Sequence, residues 1–288
     1  DFIRVWNSST FVNLRSANLG ENINSVAFSP DSNLVAAGVN DDTVHIFDST
    51  TMTSLFGPID VGVNGGNERV NDVEFSPDSS LLAVSIGRSG NSGTNGIVSF
   101  INTTTGNFFS SGINPGGEDR FYDAAFSPDG NFIAVGSEGD WYISEISTGT
   151  TVASISSPPD SVNAIAWSPD GNYIVMCGAY ESNGARVQVH EYDGSGWPMI
   201  WEVGTTTSCS SVDFSPDGSK FVVGMYWYEA DGATAKIYQT TSSLLVDAFS
   251  GPRPNNCAGT NNNQCGQIDG VSWHPDGSKI VTAHTRND

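Results

Sequence analysis

A 13-residue segment occurs six times along the chain, and this repetition constrains the fold more than any other feature of the sequence. Each copy runs from an alternating strand through a Ser-Pro-Asp-Gly or Ser-Pro-Asp-Ser turn into an apolar strand, with His in place of Ser in the last copy. The prolines of the six turns are Pro30, Pro77, Pro128, Pro169, Pro216 and Pro275. Their spacings of 47, 51, 41, 47 and 59 residues predict one supersecondary unit per copy, with loops of variable length.

Each unit has a clear physical interpretation. In the turn, Pro sets φ, Asp binds its own backbone and Gly supplies positive φ. The second strand is nearly all apolar, as expected for a strand covered on both faces. A third strand such as "TVHIFD" and a short fourth strand follow, so each unit predicts a four-stranded antiparallel sheet. The predicted third strands end at Asn7, Asp48, Asn102, Ser147, Asp193 and Gln239.

This pattern resembles the WD-repeat β-propeller family over essentially the whole chain. The segment "VNDDTVHIFD" is similar to that family's turn and third strand, with Phe47-Asp48 in the place of Trp-Asp, and "IRVWN" is similar through Trp6-Asn7. The "FSPDG" core is also shared with TolB-like propellers. No Gly-His dipeptide precedes any first strand, so the family's His-centred hydrogen bonds are not carried over. The resemblance implies an all-β propeller built of four-stranded antiparallel blades.

The two ends of the chain read as complementary halves of one blade. Residues 268–288 provide a first and a second strand, whereas residues 1–15 read as a third and a fourth strand. We therefore predict a single six-bladed domain over residues 1–288, closed by a last blade made of these two segments, which would remove exposed sheet edges. In the alternative, the chain is part of a longer array and a neighbouring copy supplies the missing strands.

The formal net charge of −21 excludes two classes of partner. Nucleic-acid binding without sequence preference depends on Lys and Arg, as does docking on anionic membranes, so neither is expected. The charge instead favours solubility, cation-rich surroundings or a basic partner. No stretch approaches the roughly 18 apolar residues of a membrane span.

Four cysteines and two N-glycosylation sequons provide evidence about the cellular location of the protein. Cys257 and Cys265 bracket a polar loop, and Cys177 and Cys209 are the other candidate pair, although four cysteines leave three pairings open. Asn7 and Asn102 each begin an Asn-x-Ser/Thr sequon and are candidates for glycosylation. Together these features favour an extracellular or cell-surface location. Free thiols would favour the alternative, a cytosolic WD-repeat scaffold.

Long loops identify the face on which binding is expected. In a propeller with this strand order, the fourth-to-first and second-to-third loops share one face, here called the long-loop face, and the Ser-Pro-Asp-Gly turns lie on the opposite turn face. Long ordered loops usually carry binding residues. The longest of these loops are 57–69, 110–120, 250–267, 87–96, 179–186 and 226–234.

Two groups of residues on that face are candidate binding sites. Arg69 and Arg120 occupy equivalent places six residues before Phe75 and Phe126, and acidic residues precede both. They predict either a clamp for a polar or anionic ligand or ion pairs between blades. Aromatic residues beside carboxylates in the loops suit a glycan or protein contact, or else cover blade edges. The acidic neighbours of the arginines are Glu68, Glu118 and Asp119, and the aromatic-acidic loops contain Tyr226, Trp227, Tyr228, Glu229, Asp231, Tyr180 and Glu181.

Carboxylates also recur on the innermost strands. Asp72 and Asp123 occupy matching places on neighbouring strands, as do Glu74 and Asp213 elsewhere. They predict either a Ca²⁺ bound through oxygen ligands or a water-filled polar channel. No EF-hand spacing supports the Ca²⁺ alternative, and no zinc-binding Cys pattern occurs, so no other cofactor is expected.

The sequence contains no GxSxG, Walker, GxGxxG or HExxH motif. The leading interpretation is therefore a non-catalytic binding or structural module that contacts protein or glycan through the long-loop face, alone, in a homo-assembly or beside neighbouring domains. The alternative from another class is a secreted hydrolase or lyase that acts on a glycan or polyanion with loop carboxylates. Such an enzyme would show two convergent carboxylates, one with a raised pKa.

Overall fold

The computed structural model describes most of the chain, which forms two compact units. The described residues are 1–7, 9–10, 12–62, 68–88, 96–110, 112–117, 120–156, 161–180, 184–226, 233–250 and 268–284. One unit comprises Asp1–Ser137 with Ile143–Val152, and the other comprises Glu138–Tyr142 with Ala153–Asp288. Among the described residues, no helix has the length and apolar character that a membrane crossing needs.

Antiparallel sheets make up the first unit. Its strands are β1 (Phe2–Trp6), β2 (Asn13–Asn18), β3 (Ile23–Phe28), β4 (Leu34–Val39), β5 (Thr43–Asp48), β6 (Ser54–Asp60), β7 (Glu68–Phe75), β8 (Leu81–Arg88), β9 (Ile97–Asn102), β10 (Phe121–Phe126) and β11 (Phe132–Ser137). The sheet orders are β1–β2, β3–β4–β5–β6, β7–β8–β9 and β10–β11, the last continuing through β12 (Asp140–Glu145) and β13 (Thr151–Ser156). After β9, isolated bridges at Phe108 and Ile113 stand where a fourth strand was predicted, followed by a 3-10 turn at Pro115–Gly117.

The second unit is built in the same way. Its strands are β14 (Ser161–Trp167), β15 (Tyr173–Tyr180), β16 (Gly184–Glu191), β17 (Met199–Thr205), β18 (Cys209–Phe214), β19 (Lys220–Met225), β20 (Ala235–Gln239), β21 (Leu245–Phe249), β22 (Ile268–Trp273) and β23 (Ile280–His284). The sheet orders are β14–β15–β16–β17, β18–β19–β20–β21 and β22–β23. The predicted all-β class and the four-stranded antiparallel sheets are confirmed. The six-blade count and the joining of residues 268–288 to residues 1–15 stay predictions.

The Ser-Pro-Asp turns are closed by their own side chains. In the first copy, the Leu34 amide donates to Ser29 Oγ at 2.9 Å, and the Asn33 amide donates to Asp31 Oδ1 at 3.0 Å. The residue after Asp adopts positive φ even where it is serine, with values of 63° at both Ser32 and Ser79. The turn therefore depends on Ser and Asp acceptors as much as on the freedom of glycine.

The turns from third to fourth strand also depend on a side-chain acceptor. Asp48 Oδ1 accepts the amides of Thr50 and Thr51 at 3.1 and 2.8 Å, and Asn7 and Asn102 hold equivalent turns. Several predicted boundaries need correction. β12 ends at Glu145 and β16 at Glu191, so Ser147 and Asp193 lie beyond their strands, and β1 ends at Trp6, one residue before Asn7. β2 extends to residue 18 rather than residue 15. Glu145 instead closes its turn, because its amide donates to Thr150 O at 2.8 Å.

The core of each unit lies between consecutive sheets. In the first unit, Ala36 of the second strand β4 is buried against Val70, Val73 and Phe75 of the next first strand. An ideal Cβ on Gly38 would lie 2.3 Å from Val70 Cγ1, so only glycine allows this approach of β4 to β7. The apolar second strands are thus covered on both faces, which explains why their sequence does not alternate.

Candidate functional site

Polar side chains that lie in the first strands, six residues before the turn proline, join one sheet to the next. This side chain donates to a backbone oxygen of the following first strand, at 2.8 Å for Asn24, 2.7 Å for Asn71 and 3.1 Å for Asn163. Ser210 makes the equivalent bond. The groups recur in both units and satisfy main-chain acceptors, so they are structural rather than available to a ligand.

Side chains that lie five and three residues before the turn proline accept hydrogen bonds in the same direction. Ser25 and Ser211 each accept an amide of the next first strand, at 3.2 and 3.1 Å. Glu74 and Asp213 likewise accept amides, at 2.9 and 2.7 Å. The sequence interpretation assigned the two carboxylates to a polar channel or a cation site and missed this role. The signal that indicates it is the recurrence of polar residues at fixed positions in strands that are otherwise apolar.

Asp72 and Asp123 lie together, as their matching positions predicted. Ser25 Oγ donates to Asp72 Oδ1 at 2.8 Å, and Asp72 is also hydrogen-bonded to Asp123. A bond between two carboxyl groups requires a proton, and burial raises the pKa of Asp72 against the opposing effect of its hydrogen bonds. Within the described ranges, no group of three or more His, Cys, Asp or Glu side chains is arranged to hold a metal ion. The Ca²⁺ site stays a prediction.

A disulfide joins neighbouring sheets in the second unit. Cys177 of β15 is bonded to Cys209 of β18 across a Cα–Cα distance of 6.0 Å, which confirms that predicted pair. Cys177 occupies the place that Gly38 occupies in the first unit, so one inter-sheet position takes either close packing or a covalent bond. Cys257 and Cys265 lie outside the described residues.

Arg69 and Arg120, the two arginines predicted to form a clamp or ion pairs, lie on either side of one glycine. β7 pairs Arg69 with Gly87, and an isolated bridge pairs Gly87 with Arg120. Arg69 Nε donates to Asn71 Oδ1 at 3.0 Å, so its guanidinium lies along its own strand. Glu118 and Asp119, the acidic neighbours of Arg120, fall outside the described residues. Whether the arginines clamp an anion or pair between blades stays a prediction.

Glu68, the acidic residue that directly precedes Arg69, converges with two other carboxylates. An ideal Cβ on Gly62 would lie 3.1 Å from Asp42 Oδ2, 3.2 Å from Asp60 Oδ1 and 3.3 Å from Glu68 Oε2. Glu68 is buried, and desolvation followed by repulsion from Glu68 and Asp60 raises the pKa of Asp42. The carboxylates come from a second-to-third turn and a fourth-to-first loop, which is where the long-loop face was predicted. We call this group the Gly62 acid cluster.

The aromatic-acidic loops are described only at their edges. Tyr226 is partly exposed, and its amide donates to Ser208 O at 2.7 Å. Tyr180 is the last residue of β15. The remaining predicted residues of these loops, Glu181, Trp227, Tyr228, Glu229 and Asp231, lie outside the described residues. Their proposed role in binding stays a prediction.

A second aromatic group, which sequence reasoning missed, lies beside a Ser-Pro-Asp-Gly turn. The ring of Trp197 lies 5.2 Å from Trp167 at an interplanar angle of 89° and 5.2 Å from Tyr192 at 38°. Tyr192 is 49% exposed, and Met199 and Ile200, which begin β17 two and three residues after Trp197, are also exposed. We call these five residues the β17 patch. The sequence signal is the pair of aromatic residues flanking "DGSG", directly after a third strand.

Hydrogen bonds fix the base of the β17 patch. His190 Nδ1 lies 2.9 Å from Trp197 O, and desolvation lowers the pKa of His190, so the neutral ring donates to that oxygen. Trp167 Nε1 donates to Gly171 O at 3.1 Å. Asp193 accepts the amides of Ser195 and Gly196, both at 2.8 Å, which closes the turn. The rings are therefore held in one arrangement before any partner binds.

Comparisons with known proteins agree with the repeat. Residues 13–48 and 114–143 match the family model described as "WD domain, G-beta repeat", and residues 144–249 match "Eukaryotic translation initiation factor eIF2A". An uncharacterized WD repeat-containing protein of Synechocystis sp., sll1491, is 31% identical over 110 residues, which are 37% of this chain and 29% of that relative. The chain therefore matches less than a third of that relative's length.

Solved structures show the same fold. The β-propeller domain of Cps50 (Swd1) from Myceliophteria thermophila superposes with a TM-score of 0.75 at 12% identity, over 98% of this chain and 87% of that one. A chain of a mitotic checkpoint complex superposes with a TM-score of 0.74 at 16% identity, over 96% and 77%. With the repeated four-stranded sheets, these likenesses identify the fold of the chain as a β-propeller, and the WD-repeat model itself matches residues 13–48 and 114–143.

Proposed function

We propose that this propeller is a non-catalytic module that binds a protein partner through the β17 patch. The observation that carries the proposal is an exposed apolar surface, built around Tyr192 and Trp197, on rings that are already fixed by packing. Aromatic residues with fixed geometry contribute most of the binding energy at protein interfaces. By contrast, the polar residues of the first strands are used in bonds between sheets.

Charge indicates the chemistry of the partner. Asp193 and Asp170 flank the patch, and hydrogen bonds from Ser195 to Asp193 and from Ser168 to Asp170 lower their pKa values, so both are ionised at neutral pH. Burial opposes this effect at Asp170 but does not outweigh it. With a chain charge of −21, these carboxylates favour a partner that is basic as well as apolar.

Tryptophan fluorescence tests this proposal. The probes are a short peptide of alternating Lys and Leu, its Glu-Leu counterpart and a neutral oligosaccharide. We expect the basic peptide alone to bind, and Tyr192→Ala to weaken it about tenfold, as 1.4 kcal/mol implies. The exposed Phe108→Ala of the first unit is the matched control. Equal binding by the Tyr192 and Phe108 variants, or preference for the sugar, would contradict the proposal.

An extracellular or cell-surface location is part of the proposal. The Cys177–Cys209 disulfide supports it, because such bonds persist mainly in oxidising compartments. Asn7 and Asn102 would then be glycan acceptors. Thiol trapping in cells that produce the chain should find Cys177 protected, whereas alkylation of Cys177 would favour the cytosolic scaffold.

The Gly62 acid cluster supports a second candidate, hydrolysis of a glycan. Asp42 combines a raised pKa with two neighbouring carboxylates, which is the pattern that acid-base catalysis requires. Turnover of a panel of aryl glycosides, lost in Asp42→Asn and retained in Asp31→Asn, would establish this activity. Absence of turnover across the panel would leave binding as the sole function.

A further inference from the structure

The β17 patch includes a turn that is longer than its equivalents. Residues 192–198, seven in all, connect β16 to β17, whereas residues 49–53 and 240–244, five in each case, make the same connection in two other sheets. The longer turn carries Tyr192 and Trp197, two of the aromatic rings of the patch. Ordering additional backbone costs conformational entropy, so a longer turn needs further contacts to hold one arrangement.

His190 supplies such a contact. Its Nδ1 donates to the carbonyl oxygen of Trp197 at 2.9 Å, and in the sheet it lies opposite Met199, another residue of the patch. On its other side it pairs with Ile174, the second residue of β15. At this place three other sheets carry a residue that is uncharged at neutral pH, and these residues are Phe47, Ile101 and Tyr238. Among these four sheets, the imidazole occurs only in the one with the longer turn.

The ring of His190 is buried in a way that favours its neutral form. It is 2% exposed, and its centroid lies 4.9 Å from that of Trp141, which belongs to the same unit, at an interplanar angle of 73°. Among the described residues, neither Nε2 of His190 nor Nε1 of Trp141 meets a hydrogen-bond partner. In the neutral ring Nε2 is an acceptor, whereas in the imidazolium it would be a second buried donor without an acceptor. Burial of a charged group without a partner carries a large energetic penalty.

The acidic and basic groups on the surrounding elements are engaged in other hydrogen bonds. These groups belong to β12, β16, β17 and the turn, and they are Asp140, Glu145, Arg186, Glu191, Asp193 and Glu202. Tyr142 and Tyr173 are the donors to two of the acids. Tyr173 and Glu191 point to the opposite face of the sheet, because side chains alternate along a strand and Glu191 directly follows His190. Desolvation therefore controls the pKa of His190 and lowers it against the opposing effect of the bond to Trp197.

We infer that His190 makes binding at the β17 patch dependent on pH, with the patch formed at neutral pH and released in acid. The inference rests on the binding role proposed above for this patch. In acid a proton from solvent adds to Nε2, the ring then carries N–H groups at both nitrogens, and the imidazolium leaves its buried site for water. The carbonyl oxygen of Trp197 loses its donor, and residues 192–198 lose the contact that holds their rings in place.

The pH range follows from the direction of the pKa shift. While His190 donates to Trp197 its pKa lies below 6.5, and the released ring in water regains about that value. The stabilising effect of the neutral ring is therefore complete above 6.5 and is lost as pH falls through the lowered pKa. Below 6.5 the ratio of released to held turn rises by at most about tenfold per pH unit. Asp193 and Asp170 keep their charge in this range, because hydrogen bonds hold their pKa values below 3.8.

Binding of the alternating Lys-Leu peptide at pH 8 and pH 5 tests the inference. Lysine stays charged across this range, so the charge of the probe does not change. We expect the native chain to bind about tenfold more weakly at pH 5. His190→Asn, whose amide can donate to Trp197 but cannot gain a proton, should have similar affinities at the two pH values. His274→Asn, at an exposed histidine of the last Ser-Pro-Asp-type turn, is the matched control and should keep the native dependence on pH.

Acrylamide quenching of tryptophan fluorescence without peptide gives an independent readout. Release of the turn exposes Trp197, so quenching should increase between pH 8 and pH 5 in the native chain and in His274→Asn, but not in His190→Asn. His190→Phe, which has the ring that Phe47 provides at the equivalent place, should likewise show no change. Circular dichroism at both pH values checks that the sheets stay folded.

Three outcomes separate the inference from the proposed function. Equal quenching of the native chain at the two pH values would overturn the inference, and it would mean that Trp141 stabilises the buried imidazolium by a cation–π contact. An equal change in both His190 variants would also overturn it, because another group would then be responsible. Failure of the peptide to bind at pH 8, together with the expected quenching, would support release of the turn and contradict only the proposed partner.

Discussion

Two joints between neighbouring sheets, one in each unit, solve the same packing problem with different chemistry. At both joints an asparagine, Asn71 or Asn163, donates to the backbone oxygen at the start of the next first strand. The next residue differs, because Asp72 carries a carboxyl group where the second unit has Ala164. The first joint therefore contains a titratable pair, whereas the second is apolar and is closed by the bond from Cys177.

The asparagine hydrogen bond is common to both joints and therefore sets their geometry. The stability of each joint comes from the group that differs, the carboxyl pair in one unit and the disulfide in the other. A disulfide stabilises chiefly by restricting the unfolded chain, whereas a partly buried carboxyl pair is stable only when a proton is present. The covalent joint should respond to redox conditions and the polar joint to pH. Four predictions test this contrast.

The largest effect is expected at the covalent joint. Cys177→Ala combined with Cys209→Ala should lower the free energy of unfolding by about 2–4 kcal/mol, because the bond closes a loop with a sequence separation of 32. Urea unfolding measures the loss. Reductant should have the same effect on a variant that keeps this pair but carries Cys257→Ser and Cys265→Ser. If reductant has no effect on that variant, the covalent bond adds little to the joint.

The second-largest loss of unfolding free energy is expected at Gly38, which holds the position in the first unit that Cys177 holds in the second. Gly38→Ala places a methyl group 2.3 Å from Val70 Cγ1 and should cost about 1–3 kcal/mol of unfolding free energy. The control is Gly204→Ala on β17, where nothing lies within 4 Å of the added carbon. Equal stability of the two variants, measured by urea unfolding, would mean that β4 and β7 are not in close contact.

A smaller effect, which depends on pH, is expected for Asp72→Asn. The pKa of Asp72 is raised by burial, so its contribution to stability is present below the unfolded pKa of 3.8 and is lost as pH rises through the folded pKa. The asparagine cannot ionise but still accepts from Ser25. The variant should therefore lose less stability than the native chain as pH rises above 3.8 in urea unfolding. Parallel pH curves for the two proteins would refute a shared proton at this joint.

The sequence predicted the sheets better than it predicted the chemistry between them. Periodic Ser-Pro-Asp turns and apolar second strands depend on local rules, which is why the sheet order from β3 to β6 follows directly. The roles of Asp72 and Glu74 depend on the sheet that follows each strand, and a single strand does not reveal its neighbour's amides. The β17 patch was missed for the same reason, since Trp167 and Trp197 are 30 residues apart and meet only in the folded sheet.

The smallest loss of stability is expected at a turn, where the pKa of a carboxyl group is lowered and not raised as it is at Asp72. Ser215 Oγ and the Ser219 amide donate to Asp217 at 2.6 and 3.0 Å, and they lower its pKa to about 2. Its stabilising effect is therefore present above the unfolded value of 3.8 and is lost as pH falls toward 2. Solvent screens this exposed group, so Asp217→Asn should cost only a few tenths of a kcal/mol at pH 7.

Carboxyl NMR titration of Asp72 and Asp217 in one sample compares the joint with the turn directly. We expect Asp217 to titrate below 3.8 and Asp72 above it, although both are aspartates that accept from a serine hydroxyl. The serine bond alone would lower both pKa values, so only the burial of Asp72 explains a rise in its pKa. Values below 3.8 at both sites would show that Asp72 is ionised in the fold, and the joint would then need a cation or solvent to separate it from Asp123.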